Sequence, residues 1–498
     1  MYKAIHFRID KKIILAAIIL SGALFRLAAI NKIVWFDEAL SIYAARQPFL
    51  EIIPLLISGI DMHPPIFALL LHFLLKISSS EIWLRIFPFV CSLVVLYMTY
   101  KLGKKIFNES VGLLSCLLVA YSESFIYYSV EIRGYIIWVL FSLLSIYFFI
   151  KSTESPSGRL FFFYIISTTI CIYVHYCGAL ILFSESMSLL MNKKAVKTNM
   201  RLWWLSIGCI LILLIPQAIY LYFAFQKFAL WGSYFQRKAS VIKCIYSLFL
   251  EYSNYCGLLF FYASIIIYLI LSKSRNILFG PGLLYNNIRD TLIKLLRNPK
   301  INILFAYLIL PIVLVSLFSQ GKYHFLESRY FLPFFIFFYL SIAYSVSLYD
   351  GKIKKLIITL IVLFTFSNAV RYSILLQNQP RIGIKKASEL LKSSLEKDDI
   401  VATSDIFISL HIFNYLNIPI RILVRPQEIE SFYLLKLFYS DKNNFITNFS
   451  YFKNRKRLWL IAGRERGSKD NWLTESKLLK LISRIEVDRV EIRLYDIL

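Results

Sequence analysis

Residues 11–40 read KKIILAAIILSGALFRLAAINKIVWFDEAL, and this stretch decides the class of fold. Two lysines precede an apolar run over residues 13–30, which is long enough for a helix to cross the hydrocarbon core of a bilayer. The run resembles the hydrophobic part of a signal peptide, but no clear small-residue cleavage site stands out. Because further apolar runs follow it, we interpret it as an uncleaved first membrane helix.

The composition of the whole chain agrees with a membrane protein. Of its 498 residues, 58% are hydrophobic and only 17% are charged, whereas about 25% are charged in an ordinary soluble domain. A soluble enzyme, a secreted disulfide scaffold and a disordered protein are therefore excluded. The sequence predicts an α-helical membrane bundle with eleven spans, at residues 13–30, 83–100, 111–128, 135–150, 160–176, 178–191, 202–223, 256–272, 301–318, 330–349 and 355–371.

The net charge of +26 carries topological information. Lysines and arginines concentrate in the N-terminal segment and in the loops at residues 101–105, 151–159, 193–201, 273–300 and 352–355. The positive-inside rule places these loops in the cytoplasm, so the charge predicts no nucleic-acid partner. The loops 31–82, 123–134, 224–255 and 319–329 then lie outside, and residues 65–77 form an interfacial helix. We predict a multi-pass protein of the plasma (inner) membrane with a cytoplasmic N-terminus.

The pattern changes near residue 372. Strand-like alternation at residues 399–404, 420–424 and 458–461 is interleaved with helical patterns at 385–395 and 472–482. Strands that alternate with helices are typical of an α/β domain. We therefore predict two domains, a membrane domain over residues 1–372 and a small extracytoplasmic α/β domain over residues 373–498.

Chemically active side chains gather on the predicted outer side. They come from four loops on that side: Asp37, Glu38, Asp61, His63, Glu131, Arg133, Tyr135, His175, Arg329 and Tyr330. Each also has a structural interpretation that the sequence leaves open. Acids at a helix start act as caps, and interfacial histidines, arginines and tyrosines anchor helix ends. One further acid, Glu185, lies inside a predicted span and requires a partner there.

These residue types in this arrangement suit a phosphate carried on a lipid. Arg133 and Arg329 can hold a phosphate with their planar guanidinium groups. Asp37 follows Trp35, and a partly dry carboxylate there can act as a base toward a hydroxyl. His63 precedes two prolines that fix the local backbone direction. The sequence has no nucleotide-binding fingerprint, so we expect no nucleotide at this site.

Four motifs together resemble the membrane glycosyltransferases of the GT-C fold. They are WFDEA at 35–39, DMHPP at 61–65, EIRGY at 131–135 and SRYFLP at 328–333. The resemblance is to bacterial enzymes related to the dolichyl-phosphate-mannose protein mannosyltransferases and to the lipid A aminoarabinose transferase. It covers residues 10–425 in motif order and topology.

The resemblance implies a role for each motif. The donor is a polyprenyl-phosphate-linked hexose or pentose, and the acceptor is a hydroxyl of a cell-envelope glycan, lipid or protein. Asp37 matches the catalytic base, with inversion at the sugar carbon, and Glu38 is the paired acid. His63 matches the histidine of the His-Pro-Pro motif, while Arg133 and Arg329 fall where the family faces the donor phosphate.

The same resemblance does not decide whether the site binds a metal ion. Some relatives show a metal near the site, which makes Glu131, His63 and His175 candidate ligands for a divalent ion, but no ligand spacing here is diagnostic. No cofactor is certain on the sequence alone. The large insert of the eukaryotic protein mannosyltransferases is absent, so protein mannosylation is not the default.

Two other functions remain open at this point. A flippase or transporter of lipid-linked sugars usually places ionisable groups near the membrane midplane and often shows internal repeats. An oligosaccharide polymerase or ligase also uses lipid-linked donors, but does not need the early Asp-Glu pair.

Overall fold

The structure is a computed structural model, and it describes residues 10–32, 34–61, 63–191, 200–228, 240–253, 298–319, 326–349, 351–377, 384–396, 398–403, 421–423, 445–446, 457–463, 479–487 and 490–497. The chain folds into two compact units. The first comprises Met1–Ile30, Arg85–Tyr222 and Trp231–Leu376, and the second comprises Asn31–Leu84, Phe223–Leu230 and Gln377–Leu498. The domain boundary predicted at residues 372–373 stays a proposal, because compactness does not show which segments fold alone.

Helices make up most of the described chain. In chain order they are α1 (Lys11–Ala28), α2 (Phe36–Ala45), α3 (Phe49–Ile57), α4 (Ile66–Ile77), α5 (Glu81–Ile106), α6 (Glu109–Ala120), α7 (Glu123–Tyr128), α8 (Tyr135–Glu154), α9 (Gly158–Val174), α10 (Gly178–Met191), α11 (Met200–Leu213), α12 (Ile215–Phe228), α13 (Val241–Tyr252), α14 (Pro299–Leu304), a π-helix (Phe305–Ile309), α15 (Leu310–Phe318), a 3-10 helix (Ser328–Phe331), α16 (Leu332–Ser347), α17 (Gly351–Gln377) and α18 (Ile384–Ser394).

Length and hydropathy identify the membrane-crossing candidates. Among the described residues, five helical segments are long and apolar enough to cross a membrane, and there are six if the pair α11 and α12, bent by 49°, is one span. The five start at Glu81, Tyr135, Pro299, Ser328 and Gly351. A mostly helical, multi-pass membrane protein is therefore confirmed. The count of eleven spans stays a prediction, and the predicted span at 256–272 lies outside the described residues.

The first unit is a bundle in which small residues allow close helix packing. α8 packs along α9, and α6 packs against both α1 and α16. A Cβ atom on Gly112 of α6 would lie 2.5 Å from the carbonyl oxygen of Tyr100 on α5. Any larger residue there would force these two helices apart, as expected where membrane helices meet through small side chains.

A buried arginine ties α1 to the end of α6. Arg26 is 1% exposed, and its Nη1 donates to the carbonyl oxygens of Gly22 and Ala120, each at 2.9 Å. Its Nη2 donates to the Val119 carbonyl at 3.3 Å. The last carbonyls of a helix have no partner within that helix and carry partial negative charge, so a guanidinium at this position satisfies them.

The second unit contains the helices of the first predicted outer loop and a C-terminal sheet. α2, α3 and α4 pack against one another, and His72 of α4 places Nδ1 2.8 Å from the carbonyl oxygen of Ala45 at the end of α2. Residues 65–77 were predicted to be helical, and α4 covers most of that range. This contact gives the buried His72 a structural role at the end of α2.

The sheet has the strand order β3-β2-β1-β4-β6-β5. Its strands are β1 (Ile400–Thr403), β2 (Arg421–Leu423), β3 (Phe445–Ile446), β4 (Arg457–Gly463), β5 (Leu479–Val487) and β6 (Val490–Ile497). β1 pairs in parallel with β2 and β4, while β6 runs antiparallel to β4 and β5. α18 packs on one face over Val401, Trp459 and Ile492. The predicted small C-terminal α/β element is thus present.

One helical prediction in this region is wrong at its end. Residues 472–482 were predicted to be helical, but Leu479–Val487 form β5, which pairs with β6 along its length. The apolar residues Leu479, Leu481 and Ile482 fit both the helical and the strand period of hydrophobic residues. Hydrogen bonding to β6 selects the strand.

Candidate functional site

In the first unit the site is built around Tyr135, the first residue of α8. Tyr135 is 1% exposed and interacts electrostatically with Arg133, Arg329, Tyr330 and Glu131. These four residues come from two segments that are almost 200 positions apart in the chain. The fold therefore brings two predicted phosphate-binding arginines to a single tyrosine.

Aromatic rings continue this cluster on the other side of Tyr135. His175 follows the last residue of α9 and stacks on Trp138 of α8, with ring centroids 4.5 Å apart. The same imidazole lies 5.8 Å from the Tyr135 ring and 5.4 Å from the Tyr330 ring. The Arg329 guanidinium lies 5.5 Å from the centroid of Tyr330, a distance at which a cation is attracted to a ring face.

The ring nitrogens of His175 have distinct roles. Nδ1 accepts a hydrogen bond from the backbone N–H of Cys177 at 3.2 Å. In the neutral imidazole the proton is then on Nε2, which is a donor. This arrangement does not suit a metal ligand, because the ring has no second lone pair to offer.

Glu131 and Arg133 lie in the short connection between α7 and α8. Both side chains are buried, at 0% and 3% exposure. Arg85, near the start of α5, donates from Nη1 to the Val130 carbonyl and so holds this connection in place. Arg85 was not among the predicted site residues, although a fully buried arginine at the start of an apolar helix is a recognisable signal.

Helix α13 contributes a further acid, Glu251, which was not among the site residues predicted from the sequence. Glu251 is partly buried and accepts a hydrogen bond from Ser124 Oγ at 3.4 Å. Burial raises the pKa of Glu251, while hydrogen bonds from Ser328 and Ser124 oppose this shift. Tyr128 interacts electrostatically with both Glu131 and Glu251.

In the second unit, Asp37 and Glu38 occupy the first turn of α2. The Glu38 carboxylate accepts the backbone N–H of Trp35 at 3.1 Å and lies 3.9 Å from Lys32 Nζ. This is the capping contact that the sequence left open for Glu38, and the side chain is fully buried. Asp37 is less buried than Glu38, so it is the more accessible carboxylate of the pair.

Asp61 and His63 form a bonded pair in the same unit. The Asp61 carboxylate lies 2.8 Å from His63 Nδ1 and also accepts the backbone N–H of His63 at 3.1 Å. An acid at Nδ1 favours the tautomer in which Nδ1 carries the proton. In that tautomer His63 Nε2 is an acceptor.

The structure thus collects the ten predicted residues into two groups. Glu131, Arg133, Tyr135, His175, Arg329 and Tyr330 come together in the first unit, and Asp37, Glu38, Asp61 and His63 lie in the second. Among the described residues, no group of three or more His, Cys, Asp or Glu side chains could hold a metal ion. We therefore derive no catalytic step through a metal.

Chemically, the first group can hold an anion and the second can accept a proton. Two guanidinium groups and several phenols form a basic, hydrogen-bonding surface of the kind that binds phosphate. An accessible carboxylate and an oriented imidazole are the usual groups for removing a proton from a hydroxyl.

A family model described as dolichyl-phosphate-mannose-protein mannosyltransferase matches residues 62–220. This range includes His63, Glu131, Arg133, Tyr135 and His175. A search of the curated proteins found no match.

Solved structures match over nearly the whole chain. ArnT from Cupriavidus metallidurans, bound to undecaprenyl phosphate, matches with a TM-score of 0.65 at 9% identity, over 97% of both chains. The oligosaccharyltransferase of Archaeoglobus fulgidus, in a complex with Zn and sulfate, matches with a TM-score of 0.53 at 10% identity, over 92% of this chain and 69% of its own. The same archaeal enzyme, AglB, with an inhibitory peptide and a dolichol-phosphate, has a TM-score of 0.51 at 11% identity, over 93% of this chain and 71% of its own.

The chain therefore has the GT-C fold of membrane glycosyltransferases, and the resemblance predicted from the four motifs is confirmed.

Proposed function

We propose that the protein is an integral-membrane glycosyltransferase. It moves a sugar from a polyprenyl-phosphate donor to a hydroxyl acceptor of the cell envelope, on the extracytoplasmic face of the plasma membrane. The observation that carries this proposal is the meeting of Arg133 and Arg329 at Tyr135. Two guanidinium groups from distant segments suit a phosphate better than they suit a lone helix anchor.

In the proposed reaction, Arg133 and Arg329 hold the donor phosphate and compensate the charge that grows on it. The acceptor oxygen attacks the sugar carbon, and its proton passes to Asp37. The bond between that carbon and the phosphate oxygen breaks, and polyprenyl phosphate leaves with the electron pair. Attack from the side opposite the leaving phosphate inverts the configuration at carbon.

The second unit supplies the proton-accepting side of this proposal. Asp37 is the candidate base because it matches the catalytic acid of the motif and its side chain is more exposed than that of the fully buried Glu38. The proposal requires that Asp37 reaches the same bound substrate as the two arginines.

The reaction is tested with purified protein in detergent and a radiolabelled polyprenyl-phosphate sugar. We expect Asp37→Asn to lose transfer by about 100-fold or more, since general base catalysis typically contributes 10²–10⁴-fold. Glu51→Gln is the matched control, because Glu51 is an exposed acid in the first turn of the neighbouring helix α3. If Asp37→Asn retains full activity while it folds normally, Asp37 is not the base.

A flippase is the competing function. It predicts movement of the labelled lipid across vesicles without a change in its covalent structure. Cleavage of the sugar–phosphate bond by the wild-type protein separates the two.

A further inference from the structure

The segment that presents Arg329 is held by a helix to which the sequence assigned no role. Arg329 and Tyr330 lie in the 3-10 helix Ser328–Phe331, directly before α16. No side chain caps the start of this short helix. Its position therefore depends on contacts from elsewhere in the first unit.

The last residue of α13 provides one such contact. The Tyr252 hydroxyl donates to the carbonyl oxygen of Ser328 at 2.7 Å. Tyr252 is fully buried, and its ring stacks on Phe335 of α16 with centroids 3.8 Å apart and planes inclined by 12°. The phenol therefore has little freedom to move, and it fixes the carbonyl next to Arg329.

Tyr252 is itself held by α16. The Tyr339 hydroxyl donates to the Tyr252 carbonyl at 2.7 Å and lies 2.9 Å from Ser122 Oγ. The anchor for the Arg329 segment thus extends to the turn between α6 and α7. Such chains of hydrogen bonds in a buried setting restrict the geometry of every member.

Glu251, the residue before Tyr252, contacts the side chain of Ser328. Glu251 forms a side-chain hydrogen bond with Ser328 and accepts one from Ser124 on α7. Two consecutive residues of α13 therefore bind both the backbone and the hydroxyl of Ser328. This double contact fixes the backbone from which Arg329 extends toward Tyr135 and Tyr330.

We propose that Tyr252 and Glu251 are positioning residues that set Arg329 for the phosphate of the lipid donor. The inference rests on the proposed function, because it assigns the same arginine to that phosphate. Neither residue needs to touch the substrate.

The test measures binding of undecaprenyl phosphate to the full-length protein in nanodiscs. We expect Tyr252→Phe to keep the ring stack, lose the bond to Ser328 and bind the lipid about tenfold more weakly, which corresponds to about 1.4 kcal/mol. Tyr246→Phe is the matched control, since Tyr246 is an exposed tyrosine on the same helix. We expect its binding to equal that of the wild type.

A double-mutant cycle separates positioning from a general loss of structure. If Tyr252 acts through Arg329, then Tyr252→Phe weakens binding no further in an Arg329→Gln background. Equal tenfold losses in both backgrounds, or unchanged binding by Tyr252→Phe in the wild-type background, would overturn the inference. Glu251→Gln provides a second variant with the same expectation.

The outcomes also distinguish this inference from the proposed function. If the wild type and Tyr246→Phe both fail to bind undecaprenyl phosphate, the proposed function is at fault. If both bind it and Tyr252→Phe binds it equally well, only the positioning role is lost.

Discussion

The contact between Asp61 and His63 shows how one residue sets the chemistry of another. The sequence placed both in a substrate-binding motif but could not show that they touch. In the structure the carboxylate bonds to Nδ1 and to the backbone N–H of the histidine. An acid bonded to Nδ1 favours the tautomer in which Nε2 is the acceptor nitrogen, much as outer acids orient histidines in other active sites.

We predict that Asp61→Asn reduces sugar transfer by about 10- to 100-fold, the usual cost of losing such an orienting partner. The rate of transfer from the radiolabelled donor measures this effect. His63→Ala is the reference variant and should be at least as inactive. Normal transfer in Asp61→Asn combined with an inactive His63→Ala would mean that the histidine needs no orienting acid.

At the scale of the helix, buried polar contacts decide how neighbouring elements are joined. Glu185 on α10 is fully buried and accepts hydrogen bonds from Ser145 of α8 at 2.7 Å and from Tyr164 of α9 at 2.9 Å. Ser145 also lies 2.7 Å from Thr168 Oγ1. The sequence indicated that an acid inside a span needs a partner, and the structure shows that its partners are hydroxyls from two other helices.

We predict that Glu185→Ala lowers the free energy of unfolding by about 1–3 kcal/mol, because two buried hydroxyls lose their acceptor. Glu185→Gln should cost less, since its amide oxygen still accepts one hydrogen bond. Ser186→Ala is the control, because among the described residues the Ser186 hydroxyl bonds within its own helix, to the Leu182 carbonyl at 2.8 Å. Unfolding is measured in detergent, and equal stability of Glu185→Ala and the wild type would contradict the proposed joining role.

The sheet of the second unit has an ion pair at the start of β1. Asp399 accepts hydrogen bonds from Arg457 at 2.6 and 2.9 Å and from the Trp459 indole at 2.8 Å. Burial opposes ionisation, but these hydrogen bonds outweigh it and lower the pKa of Asp399 below its usual value. β1 and β4 are therefore linked by charge as well as by their backbone ladder.

A lowered pKa in the folded state gives a defined pH dependence. The stability that Asp399 contributes is fully present above its unfolded pKa of about 3.9 and is lost as the pH falls through the folded pKa. We predict that the protection factors of the amides in β1 and β4, corrected for intrinsic exchange at each pH, fall over this acidic range. Asp399→Asn should exchange faster already at neutral pH and show a smaller change on acidification. An identical pH profile in both proteins would exclude Asp399 as the group responsible.

At the scale of the whole molecule, the charge of the loops predicts the orientation in the membrane. The predicted odd number of spans would put the two ends on opposite sides of the membrane, and the basic N-terminal segment predicts that the N-terminus is cytoplasmic. Lysines at the start of α17 belong to the predicted cytoplasmic face, whereas the helices of the first loop belong to the opposite one.

We predict that Glu51→Cys in α3 reacts with a membrane-impermeant maleimide in intact cells, and that Lys352→Cys in α17 reacts only after permeabilisation. Both parent side chains are exposed, so labelling reports the side of the membrane rather than burial. The signal of the native cysteines in the parent protein is subtracted. Labelling of both variants in intact cells would contradict the predicted topology.

Sequence alone determined the membrane class, the GT-C fold and three of the six strands of the C-terminal sheet, β1, β2 and β4, because these follow from the length and period of apolar runs and from motifs read along the chain. Only the tertiary structure decided that Arg133 and Arg329 meet at Tyr135, that Asp61 orients His63, and that Tyr252 and Glu251 hold Ser328. The arginine and Ser328 contacts join residues brought together by helix packing across tens to hundreds of positions, and no local pattern encodes them. Asp61 and His63 are only two positions apart, but their side-chain bond depends on a loop conformation that their types alone do not fix. The wrong helix prediction at the start of β5 has the same cause. Its apolar pattern suits a helix or a strand, and hydrogen bonding to β6 makes it a strand.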